Sequence, residues 1–236
     1  MKAVILAAGA GNRLSTVSGG VPKSMIEFSG KSIMHRQIET CWNSGIRDFI
    51  IVLGYKYELM KSHISEVLKP ENITFVDNPI YATTNTLHSL WLAGDKIEDD
   101  FIYFNADVMF REDLLNKIIK QTEHSQLLLE TKSCAEEEVK MIIDEDFRIL
   151  EISKQLDIPK CAGEFIGIGK FNKEVLPFFI KYLKLGTETG HSNNYFEYAV
   201  DLMAKDVFLQ AVPTDGIPCI EIDFPEDLEK AKKMFG

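Results

Sequence analysis

Within its first 23 residues the chain passes from an apolar strand straight onto bare backbone. Val4, Ile5 and Leu6 form a short apolar run that predicts a buried parallel strand. At Ala7-Ala8-Gly9-Ala10-Gly11 the side chains all but vanish. A strand that ends in Ala and Gly lets a ligand lie against main chain, where free N–H groups cradle an anion. Arg13 follows at once, and Pro22-Lys23 comes after a second glycine pair, Gly19-Gly20. Residues 1–36 hold Lys2, Arg13, Lys23, Lys31 and Arg36 against Glu27 alone, whereas the whole chain has a net charge of −10. Positive charge gathered on a glycine-rich loop points to a polyphosphate ligand.

Two familiar glycine motifs fail here. A dinucleotide fingerprint needs a third glycine at position 14, which is Leu14, and an acidic residue closing the second strand, where the chain has Leu53-Gly54-Tyr55. A phosphate loop ending at Gly30-Lys31-Ser32 would place its first glycine on Met25. What remains is Leu6-Ala7-Ala8-Gly9-x-Gly11-x-Arg13-Leu14 followed by Pro22-Lys23.

Beyond the loop, helical and strand-like patterns alternate. Ile33, Met34, Ile38 and Cys41 predict a helix ending near Gly45, and residues 48–53 a second buried strand. A helix over 57–68, with Leu59, Ile64, Val67 and Leu68 inward, leads to a third strand at 73–76. Thr83-Thr84-Asn85 starts a helix through Leu87, Leu90, Trp91 and Leu92, and residues 100–104 form a fourth strand that ends at Asn105-Ala106-Asp107. Such alternation predicts an α/β fold with a parallel sheet and the ligand at the strand C-termini. The glycine loop and Asp107 both fall on that edge. From Gln126 onward the strands at 127–129, 140–143, 149–152 and 165–171 read as antiparallel or mixed, with helices near 174–185 and 194–204, late strands at 208–212 and 219–222, and a closing helix opened by Pro225. One domain, 1–236, is expected, with a nucleotide half at about 1–124 and an acceptor half at about 125–236.

The composition excludes several classes. With 236 residues, 45% of them hydrophobic, the chain has ample material for a core. No apolar run reaches the roughly 20 residues of a membrane span, and the N-terminal stretch lacks the layout of a secretion signal. Cys41, Cys134, Cys161 and Cys219 are scattered without a CxxC pair, which fits a reduced cytoplasmic setting. The negative charge argues against sequence-independent nucleic-acid binding.

An NTP carries about four negative charges, so attack at its α-phosphate needs a divalent cation and basic side chains. Magnesium takes one or two carboxylates together with phosphate oxygens and water, and Asp107 at its strand end suits that role. Asn105-Ala106-Asp107 lacks the Asp-x-Asp usual in glycosyltransferases that use nucleotide sugars. Lys23, on a backbone fixed by Pro22, is positioned to neutralise the β,γ-phosphates or the charge developing at the α-phosphorus, and Arg13 to hold the leaving pyrophosphate. Lys154, after the strand at 149–152, is a candidate for the acceptor's phosphate. Glu221 and Asp223 share a strand face by period-two alternation.

The whole chain resembles the nucleotidyltransferase family, and within it the cytidylyltransferases acting on phosphocholine, aminoethylphosphonate and similar small phospho-compounds. The resemblance rests on the 6–14 segment, Pro22-Lys23, Val52-Leu53-Gly54-Tyr55, Asn78-Pro79 with Thr84-Asn85-Thr86-Leu87-His88-Ser89-Leu90, Asn105-Ala106-Asp107-Val108, Gly163-Glu164-Phe165-Ile166-Gly167, Asn194-Tyr195-Phe196-Glu197 and Glu221-Ile222-Asp223. It implies a Rossmann-like three-layer α/β/α fold with a mostly parallel mixed sheet. It also implies Mg²⁺-dependent transfer of a cytidylyl group from CTP to a phosphorylated or phosphonylated small molecule. By this resemblance Leu6, Ala7, Ala8, Gly9, Ala10, Gly11, Asn12, Arg13, Lys23, Asn78, Thr84, Asn85, Thr86, Asn105, Ala106 and Asp107 surround the nucleotide. Lys23, Arg13 and Asp107 are catalytic, Asp107 and Asp223 hold the metal, and Lys154, Glu164, Gly167 and Glu197 meet the acceptor. An acidic pair at Glu164 and Glu197 suits an acceptor with a cationic amine. Gly20-Val21-Pro22-Lys23 is similar to a segment of inositol-phosphate cytidylyltransferases, so an inositol-1-phosphate acceptor stays open; Thr84-Asn85-Thr86 stands where sugar-1-phosphate enzymes usually carry Gly-Thr-Ala, which weakens a sugar-1-phosphate acceptor without excluding it, and a non-catalytic nucleotide sensor stays open too. A second copy of the chain is a partner that the sequence leaves open.

Overall fold

The computed structural model describes residues 1–14, 19–121 and 123–236. β1 (Lys2–Ala7) is followed by 3-10 turns at Asn12–Leu14 and Lys23–Met25 and by a small hairpin, β2 (Glu27–Phe28) and β3 (Lys31–Ser32). α1 (Ile33–Asn43), β4 (Asp48–Leu53), α2 (Tyr57–Ser65), β5 (Ile73–Asp77), α3 (Thr86–Ala93) and β6 (Phe101–Asn105) then alternate. β7 (Val108–Phe110), α4 (Glu112–Lys120) and β8 (Ser125–Glu130) come next, then β9 (Lys140–Ile143), β10 (Ile149–Ser153) and the long β11 (Gly163–Phe171). α5 (Leu176–Glu188), α6 (Glu197–Met203), β12 (Leu209–Pro213), β13 (Cys219–Glu221) and α7 (Pro225–Phe235) complete the order.

β6, β1, β4 and β5 pair in that order, all parallel. β11 joins β6 antiparallel and also pairs with β8 and β9, so the second half extends the same sheet as mixed strands. Alternation along the parallel strands sets the layers. Val4, Leu6, Ile50 and Val52 face a cluster with Leu87 and Leu90 of α3, Phe179 and Leu183 of α5, and Val200 of α6. Ala3, Ile5, Phe49 and Ile51 face the opposite cluster, with Met34 and Ile38 of α1, Met60 and Ile64 of α2, and Leu114 and Leu115 of α4. The fold is thus three-layered α/β/α, as the resemblance implies. No described helix is long and apolar enough to cross a membrane.

Two local expectations change. α2 ends at Ser65 and buries Met60, His63 and Ile64, while Leu59 and Val67 are exposed. Lys56 enters it in a left-handed conformation, and the helix that starts at Tyr57 then turns the 60/63/64 stripe to the sheet. α4 is unanticipated, although Leu114, Leu115 and Ile118 at helical spacing, Glu112 and Asp113 in the first turn, and Lys117 and Lys120 in the last all announce it.

Candidate active site

Ala8, Gly9 and Gly11 line a cleft of about 420 Å³ at the C-terminal edge of the parallel strands. Leu6 and Asn105 are register partners on β1 and β6, so the glycine loop and the segment bearing Asp107 leave the sheet side by side. A side chain at Gly9 would meet nothing within 4 Å, which leaves its main chain open to the cleft. Gly11 has φ +64°, and a Cβ there would lie 2.6 Å from the Cβ of Lys23. Only glycine allows the two turns to approach this closely. Tyr55 N–H donates to Ala8 O (2.9 Å) and Leu14 N–H to Gly11 O (3.1 Å), which fixes both ends of the loop.

Lys23 is held between two carboxylates. Its Nζ lies 2.7 Å from Asp107 Oδ2 and 2.5 Å from Asp223 Oδ1, with the lysine side chain only 13% exposed. Asp107 and Asp223 are 116 residues apart in sequence, yet their oxygens are separated by no more than these two contacts together. Burial alone would lower the Lys23 pKa, but the two aspartates outweigh it and raise it. Burial opposes the charge on Asp223 as well, and there Lys23, then Arg13, hold the pKa below the ordinary carboxylate value. Arg13 Nη1 is 3.3 Å from Asp223 Oδ2, and its guanidinium lies over the Phe224 ring at 5.3 Å. Asp107 Oδ1 is buried with no partner among the described residues.

Short elements produce this convergence. β13 pairs antiparallel with β7, placing Glu221 opposite Val108, and Ile222 N–H donates to Asp107 O at 3.0 Å. Asp227, in the first turn of α7, accepts from the N–H groups of Asp223 and Phe224. Gln37 of α1, which sequence reasoning missed, donates from Nε2 to Asn105 O (2.8 Å) and Val108 O (2.7 Å), and so clamps the turn that carries Asp107. Its place among the buried positions of an amphipathic helix was the available signal. Beneath the turn, Tyr103 OH donates to Asn105 Oδ1, and Asn105 Nδ2 donates to Glu221 Oε1 at 3.0 Å. Burial, then the charge of Asp107, pushes the Glu221 carboxyl well up.

The other expected nucleotide contacts divide into two groups. Leu6, Ala7, Asn105 and Ala106 line the floor, and Asn78, Thr84, Asn85 and Thr86 line one wall. Several wall side chains serve the loop itself. Asn78 Nδ2 donates to Thr84 Oγ1 (3.1 Å) and Ser89 Oγ (3.0 Å), Asn85 caps α3, and Thr86 Oγ1 accepts from Phe196 N–H at 2.8 Å. Ala10 is not among the lining residues, and the side chain of Asn12 lies outside the described set. The basic character expected of residues 1–36 is also redistributed. Lys2 bonds Lys96 O, Lys31 pairs with Glu39, and Arg36 donates to Phe28 O, so only Arg13 and Lys23 of that group reach the cleft.

At the far end Lys154, Glu197, Tyr195, Phe165 and Val139 line the cleft. Glu164, expected beside Glu197, is not there. Its carboxylate is 2.7 Å from Lys132 Nζ, in a cluster that also engages Glu138 and Glu130. Gly167 is a support, not a contact surface. Its φ is +70°, and a Cβ would fall 2.6 Å from both Asn105 Nδ2 and Glu221 Oε1. Tyr195 and Phe165 lie inside segments that carry the resemblance, and in sequence an aromatic there is indistinguishable from a core residue.

Residues 2–207 match the family described as Nucleotidyl transferase. Over its length the chain is similar to the CTP:phosphoglutamine cytidylyltransferase of Campylobacter jejuni, 28% identical over 97% of this chain and 98% of that one. It is similar to the choline-phosphate cytidylyltransferase of Streptococcus pneumoniae, 23% identical over 99% and 98%. The solved structure of the CTP:phosphocholine cytidylyltransferase from that organism superposes with a TM-score of 0.82, at 23% identity, covering 100% of this chain and 99% of the other.

Proposed function

The chain belongs to the nucleotidyl transferase family, and from that premise we propose that it transfers a cytidylyl group from CTP to a phosphorylated or phosphonylated small molecule. The carrying observation is the meeting of Asp107, Asp223 and Lys23 beside the glycine loop. The preference for CTP and for a small phospho-compound is supported by the relatives, which are cytidylyltransferases by name.

In the proposed reaction an acceptor phosphate oxygen forms a bond to the α-phosphorus of CTP while the α–β bridging bond breaks, and pyrophosphate leaves with that electron pair. The acceptor phosphate is itself the nucleophile, so no side chain needs to be acylated or phosphorylated. Against the effect of burial, the two aspartates raise the Lys23 pKa, and the ammonium supplies positive charge where the transition state becomes more anionic. Arg13, half-exposed at the mouth, is positioned for the departing pyrophosphate. Lys154 offers the acceptor phosphate a counter-charge, which offsets the repulsion between two anionic reactants.

The residues present fit a divalent cation. Asp107 Oδ1 is buried with no partner among the described residues, and Asp107 and Asp223 are carboxylates brought to one nitrogen beside the glycine loop, the donor type that Mg²⁺ takes together with phosphate oxygens and water. Bound Mg²⁺ would offset phosphate charge and polarise the α-phosphate. Purified protein with Mg²⁺, four NTPs, and a panel of phosphocholine, aminoethylphosphonate, inositol phosphate and hexose phosphates tests the reading through pyrophosphate release. CTP with a small phospho-amine should give the fastest release. Release with no pair, as for a nucleotide sensor, or only with a hexose phosphate and another NTP, would overturn it.

A further inference from the structure

Lys140 opens β9 and is 1% exposed. Its Nζ donates to three main-chain carbonyls: Glu136 O (2.8 Å), Glu138 O (3.1 Å) and Lys154 O (2.6 Å). An ammonium has three N–H groups and accepts nothing, so all of its donors are used. Burying a charge is costly unless it is bonded in this way, and an apolar residue at the same place would avoid the cost. What the charge provides is a link between two pieces of chain that strand pairing leaves unconnected.

The first piece joins β8 to β9. It contains Glu136 and Glu138 and ends in Val139, which lines the far end of the cleft. This piece is anchored from its other side as well. Glu138 accepts from Ala135 N–H (2.7 Å) and pairs with Lys132 (2.9 Å), which also reaches Glu164 of β11 (2.7 Å). The second piece follows β10. The pairing of β10 with β9 runs from Ile149 opposite Ile143 to Ser153 opposite Lys140, and stops there. Lys154 is the next residue, in a turn, with its ammonium 4.3 Å from the centroid of the Tyr195 ring. The Lys140 side chain therefore carries the connection between β9 and β10 one residue past the ladder, to the carbonyl of a residue that lines the cleft. Lys140 itself is not among the lining residues.

We propose that Lys140 is a positioning residue for the transfer reaction. It holds the turn that carries Lys154 against an anchored rim, and so fixes where Lys154 offers its charge to the acceptor phosphate, while touching neither reactant. This role rests on the transferase reading above, in which Lys154 is the acceptor's counter-charge. A turn left loose at Lys154 would add main-chain freedom to a side chain that already has many rotamers, and its charge would be poorly placed for an oriented phosphate.

The test is a double-mutant cycle of Lys140→Met, Lys154→Met and the two together. It uses CTP, Mg²⁺ and whichever of phosphocholine, aminoethylphosphonate and inositol phosphate the wild type uses fastest. Pyrophosphate release gives KM and kcat for each reactant, at a temperature well below the unfolding of every variant. Lys140→Met should raise the acceptor KM by about tenfold, the scale of one weakened charge-assisted contact, and leave the KM for CTP within about twofold. In the Lys154→Met background the same substitution should move the acceptor KM by less than about twofold, because one residue acts through the other. A KM for CTP that rises as much as that for the acceptor, or losses that multiply in full, marks a merely structural lysine and overturns the proposal while the transferase reading stands. A wild type inactive with all three acceptors strikes the transferase reading instead. A crystal structure of Lys140→Met decides the positioning without turnover: Lys154 displaced from the Tyr195 ring supports it, and Lys154 unmoved refutes it. If Lys140→Met does not fold, Lys140→Arg, which keeps the charge but presents it on a planar fork, enters the same cycle under the same criteria.

Discussion

Replacing Lys23 by Met gives a perturbation whose size follows from the site. The substitution keeps an unbranched apolar stem, one atom shorter, and removes the charge, leaving Asp107 and Asp223 facing one another. In the folded protein their oxygens are bridged by contacts of 2.7 and 2.5 Å to one nitrogen. At a separation near 5 Å and an effective dielectric of about 20, two carboxylates repel by roughly 3 kcal/mol. Asp107 is 29% and Asp223 36% exposed, so solvent screening reduces this to about 1–2 kcal/mol. For a chain of this length the expected loss is about 2–8 °C in Tm. The ammonium occupies the carboxylates that a divalent ion would use, so the variant should gain more from the ion than wild type does. The assay is thermal unfolding in EDTA and at several millimolar Mg²⁺, with pyrophosphate release alongside. Lys23→Met should lose stability in EDTA, be raised by Mg²⁺ by several degrees more than wild type, and remain slower in turnover by orders of magnitude. An Mg²⁺ shift equal to or smaller than that of wild type would falsify the idea that lysine and ion share the two aspartates. The pH dependence has a definite sign. The Asp223 pKa is depressed, so its contribution is present at neutral pH and is lost only as pH falls below the ordinary carboxylate range.

Asp107→Asn and Asp223→Asn should each abolish Mg²⁺-dependent turnover, and the double variant should lose little more, because residues acting as a unit are not additive; two full, additive losses would separate the pair. Gly167→Ala should cost about 2–5 kcal/mol by chemical denaturation, from a strained positive φ together with overpacking against Asn105 and Glu221, and a cost under about 1 kcal/mol would mean that the floor is soft. Burial raises the Glu197 pKa to about 7. Its ionisation in the folded state therefore opposes stability increasingly as pH rises from the ordinary value of 4.5 toward 7, with Lys154 as the nearby opposing charge and Tyr103 also within its field. Glu197→Gln should accordingly unfold at higher temperature than wild type at pH 8 and show little difference at pH 5, and the reverse order would contradict the burial argument.

The parts of the site that sequence displays are those in which one segment carries the whole signal. The Ala7–Gly11 run shows a missing set of side chains directly, and Asp107 sits where an apolar strand stops, so both could be placed on one sheet edge. The contact between Lys23 and the two aspartates depends on three-residue strands, β7 and β13, and on the two bonds of Gln37. Neither feature has a periodicity long enough to stand out. Glu164 and Glu197 illustrate the same limit. Both are acids inside apolar segments, but Glu164 finds Lys132, 32 residues earlier in a loop, and nothing local announces that partner. Glu197 has none for Oε2, and an absent partner cannot be read from a sequence at all.

The charge inside the cleft alters the first inference drawn from the basic N-terminal segment. Arg13, Lys23 and Lys154 are the basic residues lining it, against Asp107, Glu197, Glu221 and Asp223. Formal charge is therefore not in excess on the positive side, even though residues 1–36 are basic as a stretch. Lys23 is moreover committed to the aspartates, and Arg13 leans on one of them. A nucleotide with about four negative charges entering this cleft would meet two carboxylates already engaging Lys23 and Arg13. The arrangement makes sense for a charge-neutralised nucleotide. Asp107 and Asp223 would transfer their interaction from the ammonium to the incoming ion, and Lys23, released from them but kept nearby by Pro22 and by its packing on Gly11, would become free to turn toward phosphate. The resting ion pair is then a placeholder that keeps the two carboxylates close together in a partly buried site, and it does so with the same lysine that the chemistry needs.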